Sequence, residues 1–368
     1  MFGNSMIFKF TFHCYYFSTK STILSGTSTP TGRFFASCAV LSSHEDSSAW
    51  TKIYQFVKDS NINPSFQLGD GAKAITNAGN TVFADVPFFR LMCWAHVHAN
   101  LVPRLKGVSA LNATVHDKIL KDIVNLQWSA LNEISFRAGF ELLRSKYLGQ
   151  VDSVLNGVIS NFFDYMRKVW VSSNEFRWYE GANPWGISNN QGVEGKNKDI
   201  KLNYTFRRRL ELGELFEVLV TLVTEWSDED VRLLESPRLA GLHGEENSLS
   251  LKTRGYHFYQ RIKLKPNEWI LKIKNPKDKY TVSESEEFQL CEVSALWAVR
   301  SSAGSDKSLK ERAMERINER EVPKTETFDE YMRIRTSCWI IEERDGDYFC
   351  DCPIGMKVCY MLSQKYHC

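Results

Sequence analysis

The chain has 368 residues, 43% hydrophobic and 13% aromatic, which is enough apolar mass for two or three structural units. With 46 basic and 44 acidic side chains the formal net charge is +2, so no chain-wide field draws in nucleic acid, and such contacts must rest on local patches. The nine cysteines are odd in number and form no secreted-type framework, which favours a reducing compartment and a metal site over disulfides.

Residues 6–17 are apolar and aromatic but lack the basic start and small-residue cleavage site of a signal peptide, so they read as a first strand. Residues 21–26 read as a second strand, Thr29-Pro30-Thr31-Gly32 as a turn, and 33–41 as a third strand. Trp50, Ile53, Tyr54 and Val57 then recur at the spacing of an amphipathic helix over 47–58. A short buried strand over 64–68 runs into Gly69-Asp70-Gly71, and a helix over 71–83, a strand over 88–94 and a helix from Ala95 follow. The order is β-β-β-α-β-α-β, a meander that turns into alternating α and β.

From 102 to 181 the pattern is helical throughout, with stripes over 117–128, 135–148 and 150–170. Trp178, Tyr179 and Trp185 cluster around Gly181-Ala182-Asn183-Pro184, either as core aromatics or as a platform for an unpaired base. Residues 194–200 and 210–226 are helical again, and a polar, Gly-containing linker spans 241–254. Strand-like runs follow at 268–274, 279–282 and 291–299, then a charge run over 307–321 that reads as a solvated helix or linker. The chain ends in a hairpin, 337–343 and 348–352 around Asp345-Gly346, carrying Cys350-Asp351-Cys352. No apolar run reaches the roughly 18 residues of a membrane span, so no membrane partner is expected.

Three constellations could carry chemistry. Asp70 sits at the carboxyl end of a strand, where open α/β sheets collect ligands, although such an Asp also serves as a turn former. Glu194 lies where Ser188-Asn189-Asn190-Gln191-Gly192-Val193 opens a helix, and it could equally complement the helix N-terminus. Two-metal phosphodiester chemistry draws carboxylates from such distant parts of a chain. The second constellation is basic: Lys196, Lys198, Lys201 and Arg207-Arg208-Arg209 follow Glu194, as a phosphate-binding patch or a solvated face. The third is C-terminal, where Cys350 and Cys352 form half of a tetrahedral zinc site. Cys359 can be the third ligand, and His367 or else Cys368 the fourth; the alternative is a finger cut off at its end.

Asp70-Gly71-x-x-Ala74-Ile75, then Cys93-x-x-His96-x-x-x-Asn100, resembles the central signature of the Mutator-like (MULE) transposase family. Asn189-Asn190-x-x-x-Glu194-x-x-Asn197, beyond a helical insertion, resembles the segment bearing that family's last catalytic acid. The C-terminal Cys-x-Cys-Pro resembles the start of a SWIM zinc finger, a companion of these transposases. The resemblance implies an α/β fold: a ribonuclease-H-like core (1–101 and 182–226) with an all-helical insertion (102–181). A mixed region (227–336) and a small, incomplete zinc-finger-like hairpin (337–368) follow. It implies Mg²⁺- or Mn²⁺-dependent DNA cleavage and strand transfer, with Asp70 and Glu194 as the second and third acids of the DDE triad. Cys93 and His96 then take a structural or DNA-end role, Cys93 being a core thiol otherwise, and Lys196, Lys198, Arg207, Arg208 and Arg209 hold phosphates. Zn²⁺ in the finger, transposon-end DNA as partner, a homo-oligomer and a nuclear location are implied with it.

One departure is sharp. No Asp or Glu precedes Glu45, and Phe8 and Lys9 stand where the first acid is wanted, beside Phe10-Thr11-Phe12. As written, the chain is expected to be inactive. A mis-assigned terminus, a domesticated DNA- or protein-binding factor and a decayed transposon fragment are the alternatives.

Overall fold

A computed structural model describes residues 7–12, 21–28, 34–42, 44, 46–62, 64, 66–107, 113–148, 153–174, 176–182, 191–208, 210–235, 270–273, 293–300, 308–318, 325–344 and 347–350. They form an α/β chain that divides into two compact units, residues 1–98 with 186–248 and residues 99–185 with 249–368.

The first unit is built on a five-stranded sheet of order β3-β2-β1-β4-β5. Strands β1 (Ile7–Phe12), β2 (Ser21–Ser28) and β3 (Phe34–Ser42) form the antiparallel meander that the aromatic and β-branched pattern predicts. Helix α1 (Ser47–Asp59) starts on Asp46, whose carboxylate accepts the Ala49 N–H at 2.9 Å, an N-cap that satisfies an orphan donor. Strand β4 (Phe66–Gly69) lies parallel to β1, with Phe8 level with Gln67 and Lys9 with Leu68. Helix α2 (Lys73–Val82) leads to β5 (Phe89–Met92), parallel to β4 in the register Leu68–Leu91 and Gly69–Met92. Among the described residues the strand ends differ from the predicted ones by one to two residues; their order is unchanged.

Burial of one face of each helix holds this layer together. Trp50, Ile53, Tyr54 and Val57 of α1 meet Ile75, Ala78 and Val82 of α2 in one core, with Phe83 at its edge. Gly79 lets α2 come close to the strand-side aromatics: a Cβ there would lie 2.5 Å from Phe88 Cε1. Helix α3 (Trp94–Lys106) follows β5 at once. Beyond the insertion, α7 (Gln191–Asp199) packs against β1, β2 and β3 and continues as one π-helical turn, Ile200–Tyr204. Helix α8 (Leu212–Glu235) packs against β3. Val193, Ile200, Leu215, Leu219, Leu222 and Trp226 form the core shared by α7 and α8.

The second unit contains the predicted helical stretch as α4 (Ala113–Ser129), α5 (Glu133–Tyr147) and α6 (Ser153–Met166), the last running on into a π-helical turn, Arg167–Val171. Asn132 and Ser135 close a capping box at the start of α5, satisfying two orphan backbone donors reciprocally. The aromatic loop is core: Trp178 and Tyr179 are buried, Trp178 donates from Nε1 to the Trp170 carbonyl at 2.7 Å, and both rings pack on Phe136. Neither ring is open to a base, which decides the question for these two; Trp185 lies outside the described residues.

The C-terminal strands β6 (Ile270–Ile273), β7 (Val293–Arg300), β8 (Cys338–Arg344) and β9 (Asp347–Cys350) form one antiparallel sheet in sequence order. The expected C-terminal hairpin is thus the edge of a larger sheet. The strand predicted at 279–282 lies outside the described residues. Helix α9 (Leu309–Asn318) occupies the charge run but is not solvated: Arg312, Ala313 and Arg316 are buried, with Arg312 donating to the Ser337 carbonyl at 3.3 Å. Helix α10 (Phe328–Ser337), for which the sequence pattern gave no expectation, starts on a Thr327 cap. It packs against α4 and α5, where the Tyr331 hydroxyl donates to the Ser135 carbonyl at 3.1 Å. Among the described residues no helix is long and apolar enough to cross a membrane.

Candidate functional site

Strands β4 and β5 run parallel and end side by side, so the residues that follow them meet at one edge of the sheet. Asp70 comes directly after β4 and is half-buried. Its carboxylate Oδ1 accepts the Ala72 N–H at 2.9 Å, an Asx turn that points the chain into α2. The turn-former and ligand readings are therefore not exclusive: one carboxylate oxygen makes the turn, and the other is not consumed by it.

Cys93 comes directly after β5. Its N–H donates to the Gly69 carbonyl at 2.8 Å, one residue before Asp70, and its own carbonyl accepts the Val97 N–H at 3.1 Å, opening α3. The thiol is fully buried, as a core thiol would be. One turn along α3, His96 returns to it. A side-chain hydrogen bond with Cys93 raises the His96 pKa above its ordinary value, against the opposing effect of burial. Cys93, Asp70 and Glu194 each add an electrostatic contribution of the same sign. Asp70, Cys93 and Glu194, separated by up to 124 positions, thus all favour the protonated form of one imidazole.

Glu194 lies in the first turn of α7, half-buried, where a carboxylate also complements the helix dipole. Its neighbours Val193 and Asn197 are buried and seat this end of the helix. The basic residues follow on the same segment. Lys196 lies over the Trp226 ring, 4.8 Å from its centroid, and Lys198, Arg207 and Arg208 are exposed. Phe206 and Arg207 adopt left-handed backbone angles, φ 48° and 58°, uncommon for residues with side chains. The Thr205 N–H closes the π-helical turn on the Ile200 carbonyl at 2.9 Å, and the Arg207 N–H then returns to the Lys201 carbonyl at 2.8 Å. Arg209 lies outside the described residues.

Sequence reasoning missed the polar support behind Asp70. Arg90, buried in β5, donates one guanidinium N–H to the Asp70 carbonyl and another to the Leu91 carbonyl. Gln67 of β4 donates from Nε2 to the Tyr54 hydroxyl, and both side chains are buried. Burial holds the Tyr54 hydroxyl protonated well above its usual range; Arg90 opposes that and Asp70 reinforces it. The available signal was a lone Arg in an otherwise apolar strand, since such a charge is retained inside only with partners.

The donor set does not complete a two-metal site. Among the described residues no group of three or more His, Cys, Asp or Glu side chains is arranged to hold a metal ion. In the parallel register Lys9 of β1 is level with Leu68 of β4, and the β1 sequence Ile7–Phe12 contains no carboxylate. A lysine ammonium repels a divalent cation. Of the predicted zinc ligands, Cys350 ends β9, while Cys352, Cys359 and His367 lie outside the described residues.

No protein-family model matches the chain, and no curated protein matches it.

Proposed function

We propose that the chain is a MULE-type DDE transposase scaffold, or a protein derived from one, that binds DNA and in this form does not cut it. The observation that carries the reading is the Cys93 N–H on the Gly69 carbonyl, which sets the Asp70 motif and the Cys93–His96 motif side by side at one sheet edge. The strand order β3-β2-β1-β4-β5, with β1 parallel to β4, is the order expected of a ribonuclease-H-like core and supports the same reading.

Catalysis by such a scaffold needs carboxylates that hold divalent metal against the phosphodiester, and only two of the three are present. What the chain's own residues can do is narrower. Lys196, Lys198, Arg207, Arg208 and Arg209, which follow Glu194 in the chain, offer cations to phosphate oxygens, with Lys196 braced on Trp226. Zn²⁺ held by Cys350, Cys352, Cys359 and His367 would serve the C-terminal hairpin, and a nuclear location goes with DNA as the partner.

The test uses the full chain with Mn²⁺ and double-stranded DNA bearing a transposon terminal repeat. The protein and its Asp70→Asn variant are expected to retain the DNA equally on a gel and to cleave none of it. Lys9→Asp is expected to gain Mn²⁺-dependent cleavage that disappears again when Asp70→Asn or Glu194→Gln is added. Cleavage by the unaltered chain that survives Asp70→Asn would overturn the reading, and so would failure to retain DNA.

A further inference from the structure

Phe206 is held out into solvent by a backbone conformation that disfavours it. Its side chain is 64% exposed, the most of any large apolar residue among those described. Its φ is 48° and that of Arg207 is 58°, left-handed angles that Gly or Asn adopts at little cost and a bulky residue does not. An exposed benzyl ring forgoes burial and a left-handed backbone adds strain, so keeping both at one residue points to a use for the ring. The turn that carries it is anchored on both sides. Ile200 is buried in the core shared by α7 and α8, and its carbonyl accepts the Thr205 N–H at 2.9 Å. Thr205 is itself buried, and its carbonyl accepts the Arg208 N–H at 2.8 Å. The Tyr204 hydroxyl donates to Glu225 of α8 at 2.5 Å. Phe206 is thus presented on backbone already ordered, which lowers the entropy lost when a ligand meets it.

The groups around the ring choose that ligand. Arg207 and Arg208 follow it, both exposed, and Lys198 and Lys201 precede it on the same segment. No acidic residue stands between Asp199 and Glu211. An aromatic face among cations matches a nucleobase flanked by its phosphates, the ring stacking on the base and the cations meeting the backbone. One ring offers the face a base needs but little of the apolar area by which a helix enters a lipid surface. Taking a paired base out of its stack costs free energy, and an already unpaired base costs least. With few cations to offset that cost, the ring selects an unpaired base.

We propose that Phe206 stacks on an unpaired nucleobase of bound DNA while Arg207 and Arg208 hold the adjoining phosphates. The base contact rests on the proposed DNA binding and is separable from it. The test measures fluorescence anisotropy of labelled duplexes with the full chain, one fully paired and one identical but for a single unpaired adenine. The unaltered chain is expected to bind the second about tenfold more tightly, the scale of a ring-on-base stack. Phe206→Ala and Phe206→Leu, which leave no face to stack on, should bring the ratio to about one, while Phe206→Trp should keep it. Lys196→Ala/Lys198→Ala should instead weaken both duplexes alike, as lost phosphate contacts do. Equal affinity of the unaltered chain for the two duplexes, or a preference that survives Phe206→Ala, overturns the base contact and leaves DNA binding standing. Binding to neither duplex overturns both. Phe206-dependent binding to phosphatidylserine vesicles in place of DNA assigns the ring to a lipid surface and overturns the base contact as well.

Discussion

A proton on His96 stabilises the folded chain, because the Cys93 hydrogen bond and the charges of Asp70 and Glu194 outweigh the opposing effect of burial and raise its pKa. The unfolded chain holds that proton less tightly, near the ordinary histidine value of about 6.5. The stabilisation is therefore fully present below that pH and is lost as pH rises through the raised folded value. Urea denaturation of the chain and of His96→Gln should differ more at mildly acidic than at alkaline pH; a difference that is flat with pH would refute the assignment. The turn-forming side of Asp70 was legible because Gly-Asp-Gly after an apolar run favours the Asx turn that its carboxylate makes with the Ala72 N–H. Arg90 was not, because a lone charge in a strand has no periodicity to reveal whether it faces water or a backbone carbonyl. Arg312 and Arg316 misled for the related reason that a charged helix looks the same whether or not another element lies over it.

At the scale of elements, close packing decides a contest that sequence propensity alone would misjudge. Replacing a helical glycine by alanine ordinarily stabilises a helix by up to about 1 kcal/mol. At Gly79 of α2 the new methyl would meet Phe88 Cε1 at 2.5 Å and Cζ at 2.9 Å, and Phe88 is itself stacked on Phe83 with 4.9 Å between ring centroids. Overpacking of that kind costs about 1–3 kcal/mol, so Gly79→Ala should destabilise the chain and lower its denaturation midpoint. A raised midpoint would mean that Phe88 has room to move. The elements themselves were the best-read level: three strands, the α1 stripe and the paired β4 and β5 follow from apolar periodicity. Helix α10 escaped because its run Phe328–Ser337 carries charges on either side of its few buried residues, and only the neighbouring α4 and α5 define which face is inside.

At the scale of the molecule, the proposed function together with a net charge of +2 assigns DNA binding to the short segment after Glu194. Counterion release then scales with the few phosphates that Lys196, Lys198, Arg207, Arg208 and Arg209 can neutralise. The logarithm of affinity should fall with the logarithm of salt with a slope of about −4, and Lys196→Ala/Lys198→Ala should reduce its magnitude by about 2. A slope unchanged by the double variant would move the DNA surface elsewhere. How β6 to β9 join into one sheet was not legible, since an antiparallel hairpin reads the same alone or as an edge. The β4–β5 edge has a further consequence. The Cys93 N–H holds the Gly69 carbonyl, and the Arg90 guanidinium holds the Asp70 carbonyl, so the two strand ends are cross-tied just where sheets usually fray. Opening one end requires releasing the other. Asp70 and Cys93, at the two tied ends, therefore keep their places together for as long as the strand pair itself persists.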